Sequence, residues 1–211
     1  MSFAFTRFDL MSWFPRRQTL IPLAFIVVVG ILFPVPEMAI AASAFVTSLM
    51  LSVPFLGDER DRLDTLYGVL PISRRAIVVG RALSILVYGV VAMIIATVAT
   101  LGSAGVRGTT VTPEMLMIGY AASLAIVGLS IGVQLPVLFR VGYSRGRFIV
   151  YAPAIVIAGA AWIAQAVGVD GDVIGSIPLA VGLSICAIVG ALGIVIGTAL
   201  AVRVYSRREL R

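Results

Sequence analysis

Residues 77–101 read IVVGRALSILVYGVVAMIIATVATL, a run in which Arg81 is the one charged side chain. A hydrocarbon core about 30 Å thick is crossed by roughly 20 helical residues, so the run is long enough to span a bilayer as one helix. Working outward from it, comparable apolar runs recur at residues 20–35, 38–56, 115–138, 148–167 and 177–202. Six membrane helices are therefore expected, with little chain left over for a soluble domain. The composition agrees: 60% of the 211 residues are hydrophobic and 12% charged, against about 45–50% and about 25% in ordinary soluble domains. The fold class is an all-α polytopic membrane protein, and residues 1–211 form a single transmembrane domain.

Arginine placement tests the span count. The chain contains no lysine and no histidine, and all sixteen basic residues are arginine. Short cytoplasmic loops are enriched in arginine. With the N-terminus inside, six spans put fifteen arginines on the cytoplasmic side and leave Arg107 alone outside. One helix more or fewer scrambles that alternation, so both termini are expected in the cytoplasm. The net charge of +6 then reflects orientation in the membrane, and nucleic acid is not an expected partner. The first run follows Arg16 and Arg17 and resembles a signal peptide, but cleavage is not expected because a second span follows at once.

Several chemistries are excluded by what is missing. Without lysine there is no Walker A lysine for a nucleotide phosphate; without histidine there is neither an HExxH zinc site nor a Ser-His-Asp triad. Cys186 is alone within an apolar run and reads as a small hydrophobe. No acid lies near the middle of any span, which disfavours a proton-coupled carrier. Gln134 and Gln165 are the amides within spans, candidates either for lining a path or for bonding a neighbouring helix. Gly128 with Gly132, and Gly193 with Gly197, have the GxxxG spacing that lets helix backbones approach. Packing within the subunit is the expected use. Pro136 and Pro153 are expected to kink their helices.

Residues 1–16, with Phe3, Phe5, Phe8 and Trp13 among Arg7 and Asp9, suit a short helix in the headgroup layer, the alternative being a frayed tail. The remaining charge gathers at residues 58–76, DERDRLDTLYGVLPISRRA. Asp58, Glu59, Arg60, Asp61 and Arg62 read as a solvated opening with local ion pairs. Leu63, Leu66, Tyr67 and Leu70 then form the stripe of a short amphipathic helix that Pro71 ends, and Ser73 is placed to cap the next helix. Arg74, Arg75 and Arg81 are expected at the interface, and residues 203–211 form a cytoplasmic tail. The stripe suits either lipid or a soluble partner, and physical chemistry alone leaves both open.

The run from Asp58 to Ser84 resembles the loop after the second span in small permeases of the ABC-2 type of ATP-binding cassette transporters. Asp58, Glu59 and Arg60 match the acidic-basic opening, Leu70, Pro71, Ile72, Ser73 and Arg74 the Leu-Pro-Ile-Ser-Arg block, and Gly80 with Arg81 the start of the third span. The resemblance implies that this loop is a coupling helix between spans 2 and 3. Asp58, Glu59, Leu63, Leu66, Tyr67, Leu70, Pro71, Ser73 and Arg74 would then meet a separate ATPase. It also implies two ATPase copies using ATP and Mg, and a second permease subunit, identical or paralogous. An exporter in a prokaryotic plasma membrane follows from the same resemblance, with no catalytic, metal or cofactor site in this chain. Larger members carry additions between the last two spans, where this chain has about nine residues, 168–176. A membrane-embedded assembly factor or lipid-acting protein without an ATPase is the alternative. A neighbouring reading frame with GxxxxGK[ST] would separate the two.

Overall fold

The structure, a computed structural model, describes residues 2–14, 17–33, 35–61, 73–168 and 178–207. Among them the regular structure is helical throughout and no strand occurs. In chain order the helices are α1 (Ser2–Trp13), α2 (Arg17–Leu32), α3 (Pro36–Met50), α4 (Val53–Asp61), α5 (Arg74–Arg107), α6 (Pro113–Val141), α7 (Tyr143–Gly146), α8 (Ala152–Ala166) and α9 (Leu179–Ser206). A 3-10 turn, Arg147–Tyr151, leads into α8.

Local chemistry sets these limits. Ser73, extended at φ −67° and ψ 139°, accepts from the Ala76 amide at 3.2 Å, the cap expected from the sequence. At the far end Gly108, with φ +68°, closes α5 by donating its amide to Ala104. Thr112 caps α6, and Pro113 occupies a first-turn position where its missing N–H costs nothing. The helix from Met38 to Asp61 is interrupted at Leu51 and Ser52, two residues before Pro54, whose ring leaves no donor and crowds the preceding turn. Pro136, in contrast, stays inside α6 without ending it, and Pro153 falls in the first turn of α8.

Among the described residues four stretches are long and apolar enough to cross a membrane: Met38–Asp61, Arg74–Arg107, Pro113–Val141 and Leu179–Ser206. The other two apolar helices are shorter, 16 residues in α2 and 15 in α8. Contacts fix relative direction. Tyr88 donates to the Thr19 carbonyl and Ser103 to that of Gly30, so α2 runs alongside α5 in the same sense. Ser123 bonds the Ile40 carbonyl and Ser130 bonds Ser48, so α3 and α6 share a direction. Gly128 lies on Gly190 and Phe139 on Tyr205, so α9 shares it too. Arg75 and Leu86 of α5 face Arg203 and Ile194 of α9, the antiparallel relation.

Two apolar clusters hold the bundle. One joins Leu51, Phe55, Ile77, Ile85, Ile131, Leu135, Phe139 and Tyr205, toward the ends carrying most of the arginines. The other joins Trp13, Ile26, Ile40, Tyr88 and Ala96. Met38–Asp61 is the most enclosed of the four long stretches and α9 the least.

The first segment forms the short helix expected of it, and packing against α5 adds to that expectation. Thr6 bonds the Gly80 carbonyl at 3.2 Å, Asp9 meets Arg81 and Ser84, and Trp13 stacks on Tyr88 at 5.4 Å. α1 therefore lies along the first turns of α5, with Phe5, Asp9 and Trp13 buried and Arg7, Phe8 and Met11 exposed. The segment is thus a short helix docked on the bundle and not a frayed tail. The partner of Asp9 is 72 residues away in sequence, so no local pattern announces it.

Candidate functional site

The charged loop that drew attention in the sequence begins on the last turn of α4. Leu63, Leu66, Tyr67, Leu70 and Pro71 lie outside the described residues, but both flanks are in view. Asp58 is buried rather than solvated, which corrects the expectation for it. Arg81 Nη1 donates to Asp58 Oδ2 at 2.5 Å and Nη2 to Oδ1 at 3.3 Å. The same guanidinium donates from Nη2 and Nε to Asp9 Oδ1, at 2.8 and 3.2 Å. Ser84, one turn further along α5, donates to Asp9 Oδ2 at 2.5 Å. Arg81 is 1% exposed, enclosed by protein, and lies 4.8 Å from the centre of the Phe55 ring.

Removing these charges from water is costly, and only close geometry with several hydrogen bonds offsets it. Arginine suits the task because its planar fork engages two carboxylates from fixed positions. The result is a junction in which α1, α4 and α5 meet at one guanidinium.

The next residue reaches the opposite way. Glu59 accepts from the Ser144 amide at 3.0 and 3.2 Å and from its hydroxyl at 2.5 Å, which ties α4 to the short helix α7. Gly142, before it, has φ +77° and leaves no room for a side chain against the Glu59 carboxylate. On the other flank Arg74 Nη1 donates to the carbonyls of Tyr205 and Ser206 at 3.3 and 3.0 Å. These belong to the last turn of α9, where helix carbonyls lack partners and the helix dipole favours a cation. Phe55, Phe139 and Tyr205 stack in sequence, at 4.9 and 5.0 Å between ring centres, beneath this layer.

The two flanks thus reach α1, α5, α7 and α9 between them. Displacing the Asp58–Glu59 flank has to move α5 and α7 or break the buried pair with Arg81, and displacing Arg74 breaks its bonds to the end of α9. Asp58, Glu59, Ser73 and Arg74, all singled out in the sequence, are brought to this layer. Asp9 and Arg81 are the participants whose role the sequence reading missed. The available signal was Arg81 itself: a cation inside an apolar run needs a carboxylate, and Asp9 and Asp58 are among few candidates on that side.

Gln134 is fully buried; its amide donates to the Ser48 hydroxyl at 3.0 Å and the Val150 carbonyl at 3.3 Å. Of the two uses expected, this is the bond to a neighbouring helix. Gln165 is exposed near the end of α8. The hydroxyls of Ser43, Thr47, Ser123 and Ser130 all engage backbone carbonyls within the bundle. Among the described residues no group of His, Cys, Asp or Glu is arranged to hold a metal ion.

A helical membrane bundle whose charged loop is tied to several helix ends has the organisation of a transporter's membrane subunit. The model of the ABC-2 family transporter protein matches residues 9–206, nearly the whole chain, and the chain belongs to that family. It is a membrane protein of ABC transporters, and in this family ATP hydrolysis typically resides in a separate subunit. No curated protein and no solved structure matches the chain.

Proposed function

We propose that this chain is the permease subunit of an ATP-driven exporter and that residues 58–75 couple it to a separate ATPase. The observation that carries the reading is the anchoring of both loop flanks, Asp58 and Glu59 on one side and Arg74 on the other, to α5, α7 and α9, with α1 joined through Arg81. A force applied to the intervening residues reaches the bundle through the buried Asp58–Arg81 pair and through the surface bonds of Glu59 and Arg74. Leu63, Leu66, Tyr67 and Leu70 would enter a cleft of the ATPase, with ATP and Mg bound there. Six spans with both termini in the cytoplasm follow from the arginine distribution, with α2 and α8 as the two short spans. The working unit would contain two ATPases and a second permease, identical or paralogous. Its path would lie between permeases, because the hydroxyls of Ser43, Thr47, Ser123 and Ser130 are consumed in the chain's own packing.

The test uses the full-length chain expressed with its neighbouring ATPase. Leu66→Asp should release the ATPase on purification and abolish stimulated ATP hydrolysis, while membrane insertion stays normal. An aspartate forced into an apolar contact costs several kcal/mol, about 3–5 when left unpaired. Retained ATPase binding with impaired insertion would show that the stripe is buried in lipid or in the bundle, and would sink the coupling reading.

A further inference from the structure

Between α5 and α9 runs a groove of about 530 Å³ open to the surface. Its walls are Leu83 and Leu86 on one side and Ile194 and Val202 on the other, and its mouth carries Arg75 and Arg203. Both arginines are exposed, at the end of the bundle where Arg74 reaches the last turn of α9. Among the described residues no acid lines the groove. From Arg75 to Leu86 the helix rises about 17 Å at 1.5 Å per residue, close to the roughly 15 Å depth of one leaflet's hydrocarbon.

We propose that this groove is a binding site for one anionic glycerophospholipid of the cytoplasmic leaflet. The phosphodiester meets Arg75 and Arg203, and an acyl chain fills the apolar trough. Guanidinium forks match phosphate oxygens, and basic pockets at the cytoplasmic side between membrane helices suit anionic headgroups. A zwitterionic lipid would find no carboxylate for its cation among the described residues of the groove. A second copy of the chain docked by two-fold symmetry would bring both arginine pairs to the same end of the contact, like charge against like. The leaflet rests on the orientation argued above, whereas binding itself depends on neither orientation nor an ATPase.

Native mass spectrometry of the purified full-length chain, titrated with dioleoyl-phosphatidylglycerol or dioleoyl-phosphatidylcholine, is the test. One phosphatidylglycerol should be retained at least tenfold more tightly than phosphatidylcholine. Arg75→Gln with Arg203→Gln should erase that preference, whereas Arg140→Gln, on an exposed arginine away from the groove, should keep it. Ala199→Trp should block retention with both arginines in place, in protein that remains monodisperse with unchanged melting. Equal binding of the two lipids, or a preference that survives the double arginine variant, would overturn the proposal. So would disulfide-linked chain pairs formed by Ala199→Cys in membranes, which would make the groove a contact between copies.

Discussion

Arg81 carries more of the junction than any other side chain, because three of its nitrogens are committed to two carboxylates from different helices. Truncating it leaves Asp9 and Asp58 facing each other away from water. Removing one partner of such a buried pair costs about 3–5 kcal/mol. Arg81→Gln should therefore lower the melting temperature of the detergent-solubilised protein well below that of Asp9→Asn, which leaves the Arg81–Asp58 pair intact. Equal and small shifts in the two variants would mean that the guanidinium is hydrated and that the junction does not hold α1. Side chains that act on neighbours in sequence were readable in advance. Ser73 as a cap follows from its place before a helix, and Gln134 needed some partner simply because an amide inside an apolar run must bond to something. Asp58 was misplaced at the surface because charge next to a membrane boundary usually sits there, and only the return of α1 onto α5 buries it with Arg81.

At the scale of elements the tightest packing is between α6 and α9, where glycines face glycines. A Cβ on Gly128 would strike the carbonyl oxygen of Gly190 and come within 2.5 Å of its Cα, and one on Gly197 would come equally close to the Cα of Gly132. Those neighbours are backbone and cannot rotate aside, so the helices must separate. Gly128→Ala should cost about 1–3 kcal/mol, the range for overpacking a close-packed interior, read as a lowered melting temperature. Gly159→Ala, with no atom within 4 Å of the added methyl, is the matched control and should be near neutral. A Gly128→Ala protein as stable as the control would show that the seam is looser than drawn. The GxxxG spacings at Gly128 and Gly193 revealed which helices can approach closely, and packing inside the subunit was the expected use. Which pair meets was not legible, because the spacing recurs on two helices and the choice between them is tertiary. Helix ends followed the same division. The α5 and α6 helices outrun their apolar stretches because Ser73, Gly108 and Thr112, the residues that start and stop them, sit outside those stretches.

For the whole molecule, apolar runs and arginine bias gave an all-helical bundle and a six-span orientation before any coordinates. The bundle carries four helices long enough to cross a bilayer, with α2 and α8 short of it. At 1.5 Å per residue, the 16 residues of α2 extend about 24 Å, less than a hydrocarbon core of about 30 Å. Its far end is nevertheless level with that of α5: Arg107 bonds the Ile31 carbonyl, and Ser103 that of Gly30 at 2.8 Å. Its near end is level with Tyr88, and from there α1 continues beside α5 down to Gly80. Two helices in succession thus accompany one long helix, which lets the short α2 coexist with the much longer α5. If that arrangement holds in the membrane, the 108–112 turn lies outside and the C-terminus inside. Thr110→Cys, paired with Cys186→Ala, should then react in intact cells with a thiol reagent that cannot cross the membrane. A fluorescent protein fused after Arg211 should be bright, as one folded in the cytoplasm is. An odd number of spans between the two positions separates these outcomes, since α6, α8 and α9 must all cross to carry the chain from outside to inside. Labelling at residue 110 together with a dark fusion would mean that the short helix α8 enters the bilayer without traversing it, and the six-span reading would fall.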